Sequence, residues 1–256
     1  MILKEEFWQE IPLLHIVKEQ YLNEEVPVVI FFHGFTSAKE HNLHFAYNLA
    51  EKGIRVLLPD AHLHGVRNED LDQVQLGLRF WEIVLTSIEE LGIIQEELVN
   101  RQLLSNGRIG VSGTSMGGIT SLGALRTYDW IDAAAIMMGA AGFVDLAKEQ
   151  IGNFESQGFE IPLTAEEKDS FYENLAMFDI TKKPTLLDKR PIHFWHGMKD
   201  IVVPYKPTWN FYESIRDDYK DVPHRLSFTA DKEAGHVVSR PAMLEAMEKL
   251  ASYLKP

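Results

Sequence analysis

Residues 108–123 read Arg-Ile-Gly-Val-Ser-Gly-Thr-Ser-Met-Gly-Gly-Ile-Thr-Ser-Leu-Gly, and no other stretch narrows the possible folds as much. Ile109 and Val111 alternate as in a short buried strand, while Ile119, Leu122 and Leu125 recur at helical spacing. Between them lies Gly113-Thr114-Ser115-Met116-Gly117, so a strand passes into a helix through one abrupt turn. A residue at the apex of such a turn has its side chain thrown clear of the backbone. The chain crosses itself closely there, leaving no room for bulk two residues either side, where Gly113 and Gly117 stand. The helix that follows points its free N–H groups and positive dipole end at the same spot, which favours an anion. Ser115 is therefore a candidate nucleophile, although a glycine-rich turn of this kind would equally suit a bound phosphate.

The rest of the chain repeats the alternation. Ile11 to Val17 reads as a strand, with Tyr21 to Val26 as its turn and return. Val28-Val-Ile-Phe-Phe32 is a continuous apolar run, as expected of a strand covered on both faces. Ser37-Ala-Lys-Glu40 has the form of a capping box and opens a helix with Leu43, Ala46, Tyr47 and Ala50 on one side. Ile54 to Leu58 is a further strand, and a long helical pattern runs from Leu76 to about Leu104, with a break expected near Gly92. Strands are expected at Ala133 to Met138, Pro191 to Trp195 and Arg225 to Thr229, and helices near Thr208 to Arg216 and at the C-terminal end. Residues 143–188 depart from the alternation; there Thr164 caps a helix bearing Phe171, Leu175 and Phe178.

The pattern predicts an α/β fold: one domain over residues 1–256, built on a doubly wound, mainly parallel sheet with helices on both faces. The 143–188 stretch is expected to form a small helical lid. Ligands of such sheets sit beyond the carboxyl ends of the strands. Phe35, Asp60, Ser115, Asp200 and His236 all fall at such ends, so residues distant along the chain can meet at one edge.

Composition excludes several classes. A formal charge of −13 opposes a phosphate backbone, so nucleic acid is not expected as a partner. There are no cysteines, which removes disulfides, thiolate metal sites and cysteine nucleophiles. The longest nearly uncharged apolar stretch, Ala133 to Val144, is too short to cross a bilayer, and Met1 to Glu10 lacks a signal-peptide core. A cytoplasmic protein that does not engage membranes is the economical expectation.

A serine hydroxyl is a weak nucleophile and needs a base within hydrogen-bond reach, itself oriented by a third group. His236, beside Gly235 in the loop after the last strand, is the candidate base. Asp200 follows the preceding strand and can accept a bond from the other imidazole nitrogen. The amides of Met116 and Phe35 are the candidate oxyanion donors, each typically worth ~2.7–4 kcal/mol in a transition state.

With these residues in view, the chain resembles an α/β-hydrolase, and more narrowly the small single-domain bacterial carboxylesterases of the YjfP/YitV type. These are relatives of the dienelactone hydrolases and of prolyl oligopeptidase catalytic domains. The matching pieces are Phe32-His33-Gly34-Phe35-Thr36-Ser37, Pro59-Asp60-Ala61 with His64-Gly65, Gly113 to Gly118, Trp195-His196-Gly197 with Asp200 and Val203-Pro204, and Gly235-His236. The resemblance implies ester hydrolysis through an acyl-enzyme without a cofactor; the ordered triad points to small, neutral, short-chain acyl esters, and no metal is expected. Dienelactone hydrolases use cysteine as nucleophile, so their lactone substrate is not implied here. Thioester or peptide hydrolysis, and a non-catalytic binding protein of the same fold, remain alternatives.

Other features admit plainer readings. Asp60, His62 and His64 form D-x-H-x-H, which resembles a metal cluster but also fits loop structure after a strand. His33 and His196, each before a glycine, read as structural hydrogen-bonding groups. The aromatic residues of 143–188 suit an acyl-pocket lid, so Phe143, Phe171 and Phe178, with Thr36, are the candidate pocket residues.

Overall fold

The computed structural model describes residues 1–255, without the side chains at 105–107. A hairpin of β1 (Ile2–Trp8) and β2 (Ile11–Val17) opens the chain and leads to β3 (Val26–Phe32). Helix α1 (Leu43–Glu51), strand β4 (Arg55–Pro59) and helices α2 (Gln73–Leu78) and α3 (Phe80–Asn100) follow. Strand β5 (Leu104–Thr114) runs into α4 (Met116–Thr127), and β6 (Ile131–Met137) into α5 (Phe143–Ser156) and α6 (Ala165–Phe178). The chain closes with β7 (Ile192–Gly197), α7 (Tyr205–Ile215), β8 (Leu226–Asp231) and α8 (Arg240–Leu254).

The eight strands form one sheet in the order β1-β2-β4-β3-β5-β6-β7-β8. Only the β1/β2 and β2/β4 pairs are antiparallel; every pair from β4 to β8 is parallel. The chain steps outward from β3 to β4, then returns to place β5 on the other side of β3. The order of strands therefore reverses between β3 and β5, where a doubly wound sheet leaves a crevice beyond its strand ends.

Strand β3 explains the two-sided core. Val28, Ile30 and Phe32 face Leu91 and Ile94 of α3, Leu122 of α4 and Phe211 of α7. Val29 and Phe31 face Leu49 of α1 and Met247 and Leu250 of α8. A strand apolar at every position can only satisfy both faces when both are covered.

Local expectations differ in five places. Strand β1 was not expected, and Tyr21 to Val26 is not a return strand: Glu19–Tyr21 is a short 3-10 turn and Val26 already belongs to β3. Ser37 does not cap a helix. Residues Lys39–Asn42 form a 3-10 turn with no side-chain cap, Ser37 Oγ lies 3.2 Å from His41 Nδ1, and α1 begins only at Leu43 with Tyr47 exposed. The long helical region breaks at Arg79, where Asp72 caps α2 through a capping box with Gln75, and not at Gly92. Leu104 belongs to β5. The Thr164 cap on α6 holds, with Glu167 closing the reciprocal bond.

Candidate active site

Ser115 stands between β5 and α4 with φ 54° and ψ −118°, a sparsely populated conformation for a side-chain-bearing residue. The surroundings hold it there. Its amide donates to Met137 O at 2.9 Å. A Cβ on Gly117 would lie 2.0 Å from Phe32 O, and one on Gly113 would lie 2.5 Å from the Gly117 carbonyl carbon. The two glycines thus let three backbone segments cross, and the crossing fixes the strained apex.

Ser115 Oγ donates to His236 Nε2 at 2.9 Å, and His236 Nδ1–H donates to Asp200 Oδ2 at 2.7 Å. That line of bonds sets the imidazole tautomer, with Nε2 left as an acceptor for the hydroxyl proton. Asp200 is buried, and its other oxygen, Oδ1, accepts from the amides of Val202 and Val203, both at 2.9 Å. His196 Nε2–H donates to Val203 O at 2.9 Å and lies 3.3 Å from Asp200 Oδ2. The loops carrying Asp200 and His236 are laced together by Met198 N to Asp231 O (2.7 Å) and Lys199 N to Ala234 O (3.0 Å). Gly197 permits the approach, since a Cβ there would sit 2.4 Å from Gly235 O.

The turn after β3 lies against the same serine: a Cβ on Gly34 would be 3.7 Å from Ser115 Cβ. Among the described residues, no acceptor binds the amides of Phe35 or Met116. The turn is shaped by buried histidines. His33 Nδ1–H donates to Gly34 O (2.8 Å) while its Nε2 accepts from Ala61 N (3.0 Å). His64 Nδ1–H donates to His62 O (2.9 Å) while its Nε2 accepts from Thr36 N (3.0 Å). Burial pushes His33 down to about 4 and lowers His64 as well, so both serve as neutral hydrogen-bonding groups.

Asp60, the remaining member of D-x-H-x-H, is wholly buried and accepts from Lys39 N (2.9 Å), Lys39 Nζ (2.8 Å) and Val66 N (3.1 Å). Burial opposes the Lys39 ammonium, but its bonds to Asp60 and Glu40 outweigh that and hold its pKa above the ordinary lysine value. Gly65, at φ 55°, passes so close that a Cβ would strike the Asp60 carboxylate at 2.2 Å. The motif is a packed loop anchor, and among the described residues no group of three His, Asp or Glu side chains is placed to hold a metal.

A cavity of about 290 Å³ opens on Ser115. Its apolar walls come from Phe35, Phe80, Leu146, Phe154, Val202 and Val203, and its polar side chains are Gln73, Glu149, Gln150 and Asn153. This corrects the pocket expected from sequence: Thr36, Phe143, Phe171 and Phe178 do not line it. Phe143 is fully buried against Trp81, at a centroid distance of 4.9 Å, and fills the space beside Gly123. Phe171 and Phe178 pack on that same apolar cluster, and Thr36 spends its amide on His64. Helix α5 lines the cavity through the face at 146, 149, 150 and 153 and through the adjoining Phe154, whereas among the described residues no α6 side chain does. The spacing of those four residues is visible in the sequence, as is the apolar Val202-Val203 pair beside Asp200.

Comparison with known proteins agrees with this construction. Residues 88–255 match the model of the prolyl oligopeptidase family. The "Putative esterase YitV" of Bacillus subtilis (strain 168) is 49% identical over 244 residues, covering 95% of this chain and 96% of that protein. The esterase YjfP of Escherichia coli (strain K12) is 32% identical, with 83% of this chain and 84% of YjfP covered. Among solved structures, TT1662 from Thermus thermophilus superposes with a TM-score of 0.77 at 18% identity, over 100% of this chain and 98% of its own. The chain belongs to the prolyl oligopeptidase family and, within the α/β-hydrolase fold, to the serine hydrolases.

Proposed function

We propose that the protein is a carboxylesterase acting on small, short-chain acyl esters through an acyl-enzyme at Ser115. The observation that carries this is the unbroken Ser115–His236–Asp200 hydrogen-bond line beside a largely apolar cavity. His236 takes the hydroxyl proton as Oγ bonds to the ester carbonyl carbon, and Asp200 stabilises the resulting imidazolium. The oxyanion is met by the amides of Met116 and Phe35, the first at a helix N-terminus. Collapse breaks the ester C–O bond, and His236 returns its proton to the leaving alcohol. Water, deprotonated by the same imidazole, then attacks the acyl-serine; the acid leaves and Oγ regains its proton. The esterase names of YitV and YjfP, matched over most of their lengths, support an ester over an amide as substrate.

Ser115→Ala tests the reading. It should lower kcat on a short acyl ester by several powers of ten while the protein stays folded. A folded variant with near wild-type turnover would overturn the assignment. Comparing kcat/KM for matched esters, thioesters and aminoacyl amides reads out the acyl-transfer class, and dominance of the amides would replace esterase by peptidase.

A further inference from the structure

Among the described residues, one carboxylate lines the cavity that opens on Ser115: Glu149, on the α5 face that also presents Leu146, Gln150 and Asn153. A second cavity, of about 410 Å³, adjoins the first across a wall shared through Leu146, Glu149 and Pro204. It adds another carboxylate, Asp145, one helical turn before Glu149. Neither cavity is lined by a lysine or arginine among the described residues. Among the described residues neither carboxylate is in an ion pair with a basic side chain, and Lys148, adjacent to Glu149 in sequence, lies 5.2 Å from the centre of the Tyr172 ring. Gln150, the other polar residue at this end, has its carbonyl occupied by Trp81 Nε1–H at 2.8 Å.

We infer that Glu149 is the charge selector of this site: the preferred esters carry an ammonium group on the acyl or the alcohol part, and esters bearing a carboxylate are rejected. The inference rests on the ester-hydrolase reading above. A cleft with low-dielectric walls concentrates the field of the charge it contains, so one uncompensated carboxylate acts on a substrate held beside it. The exposure of Glu149 to solvent limits the effect. A cation held ~6 Å away in surroundings between water and protein surface is favoured by about three- to thirtyfold at low salt. An apolar residue at this position would bind neutral acyl groups at least as well, so the carboxylate distinguishes substrates by charge.

Two isosteric series test this. On the alcohol side, acetylcholine is compared with 3,3-dimethylbutyl acetate. On the acyl side, the ethyl ester of 4-(trimethylammonio)butyrate is compared with ethyl 5,5-dimethylhexanoate and monoethyl glutarate. The wild type should prefer the cation over its neutral isostere in kcat/KM in at least one series, and the series concerned identifies which part of the ester faces Glu149. The preference should shrink as salt is raised. In Glu149→Gln the ratio should approach one, and in Glu149→Lys it should invert. Where an ester is not turned over, the same ratio is read from its inhibition of p-nitrophenyl acetate hydrolysis. A cation-to-neutral ratio in Glu149→Gln equal to the wild-type ratio in both series would overturn the inference. Failure of the esterase reading is separate: it would show as ester turnover that survives Ser115→Ala.

Discussion

Gly117 lies so close beneath Phe32 that a Cβ on it would stand 2.0 Å from the Phe32 carbonyl oxygen. The obstacle is backbone of a central strand, which cannot rotate aside as a side chain would. Gly117→Ala should therefore destabilise the protein by about 3 kcal/mol, at the upper end of ordinary overpacking, and displace Ser115. Denaturant unfolding and ester turnover check this. A variant with wild-type stability and turnover would mean that the crossing is looser than described.

Ser115 carries backbone strain that glycine would not. A residue in such a region costs of order 1–3 kcal/mol, while glycine adds about 0.5–1 kcal/mol of unfolded-state entropy. Relief of strain wins, so Ser115→Gly should be more stable than Ser115→Ala by about 1 kcal/mol, with both inactive. The difference is read as a shift in Tm. The reverse order would show that the φ of 54° is not strained in this setting.

Lys39 and Asp60 are both fully buried and paired at 2.8 Å. Removing Asp60 leaves the Lys39 ammonium only the exposed carboxylates of Glu40 and Glu5, and breaking a buried pair costs about 3–5 kcal/mol. Asp60→Ala should show a loss of that size, because it also frees the amides of Lys39 and Val66. The double change Lys39→Met with Asp60→Leu should be milder than either single change, as a double-mutant cycle would report.

Burial pushes His15, His33 and His193 each down to about 4. The unfolded chain binds these protons near pH 6.5, so between about 6.5 and 4 it holds more protons than the native state. Stability contributed by these neutral imidazoles is complete above about pH 6.5 and is lost as pH falls toward 4. With three groups, the slope of unfolding free energy should reach up to about 4 kcal/mol per pH unit near pH 5. A Tm unchanged between pH 7 and 5 would contradict the burial of these rings.

The triad was legible because the signals that place it are local. Gly-x-Ser-x-Gly needs only a strand before and a helix after, and both were plain in Val111 and Ile119. Asp200 follows the buried strand β7 and His236 follows its parallel neighbour β8, so both inherit the same edge of the sheet. Strand β1 is illegible because it lies at the sheet edge, and in Ile-Leu-Lys-Glu-Glu-Phe-Trp only Trp8 is buried, too little to impose an apolar alternation. The Ser37 cap failed because a distant partner took priority: Lys39 turns to Asp60, and the local chain follows it. Gly92 looked like a helix breaker, yet the helix continues and the missing Cβ leaves room for the Tyr128 hydroxyl, 2.8 Å from where it would be.

The pocket was misread for a different reason. Aromatic side chains in 143–188 are expected to face the substrate, and Phe154 does line the cavity, but burial draws Phe143, Phe171 and Phe178 to the apolar cluster behind it. Phe143 accordingly goes inward, and the more polar face of α5 is left to line the cavity. Which face of an amphipathic helix meets a ligand depends on what packs behind it, and residue type alone does not carry that information.

The two oxygens of Asp200 divide their work between chemistry and shape. Oδ2 orients the imidazole, while Oδ1 folds the chain through Val202 and Val203, which are themselves wall residues of the cavity. An asparagine there keeps one acceptor for those amides but offers no second acceptor to the ring, whereas an alanine abolishes both. The orientation of the His236 ring and the contour of the binding wall are thus moulded by a single carboxylate, and neither can drift during evolution without dragging the other along.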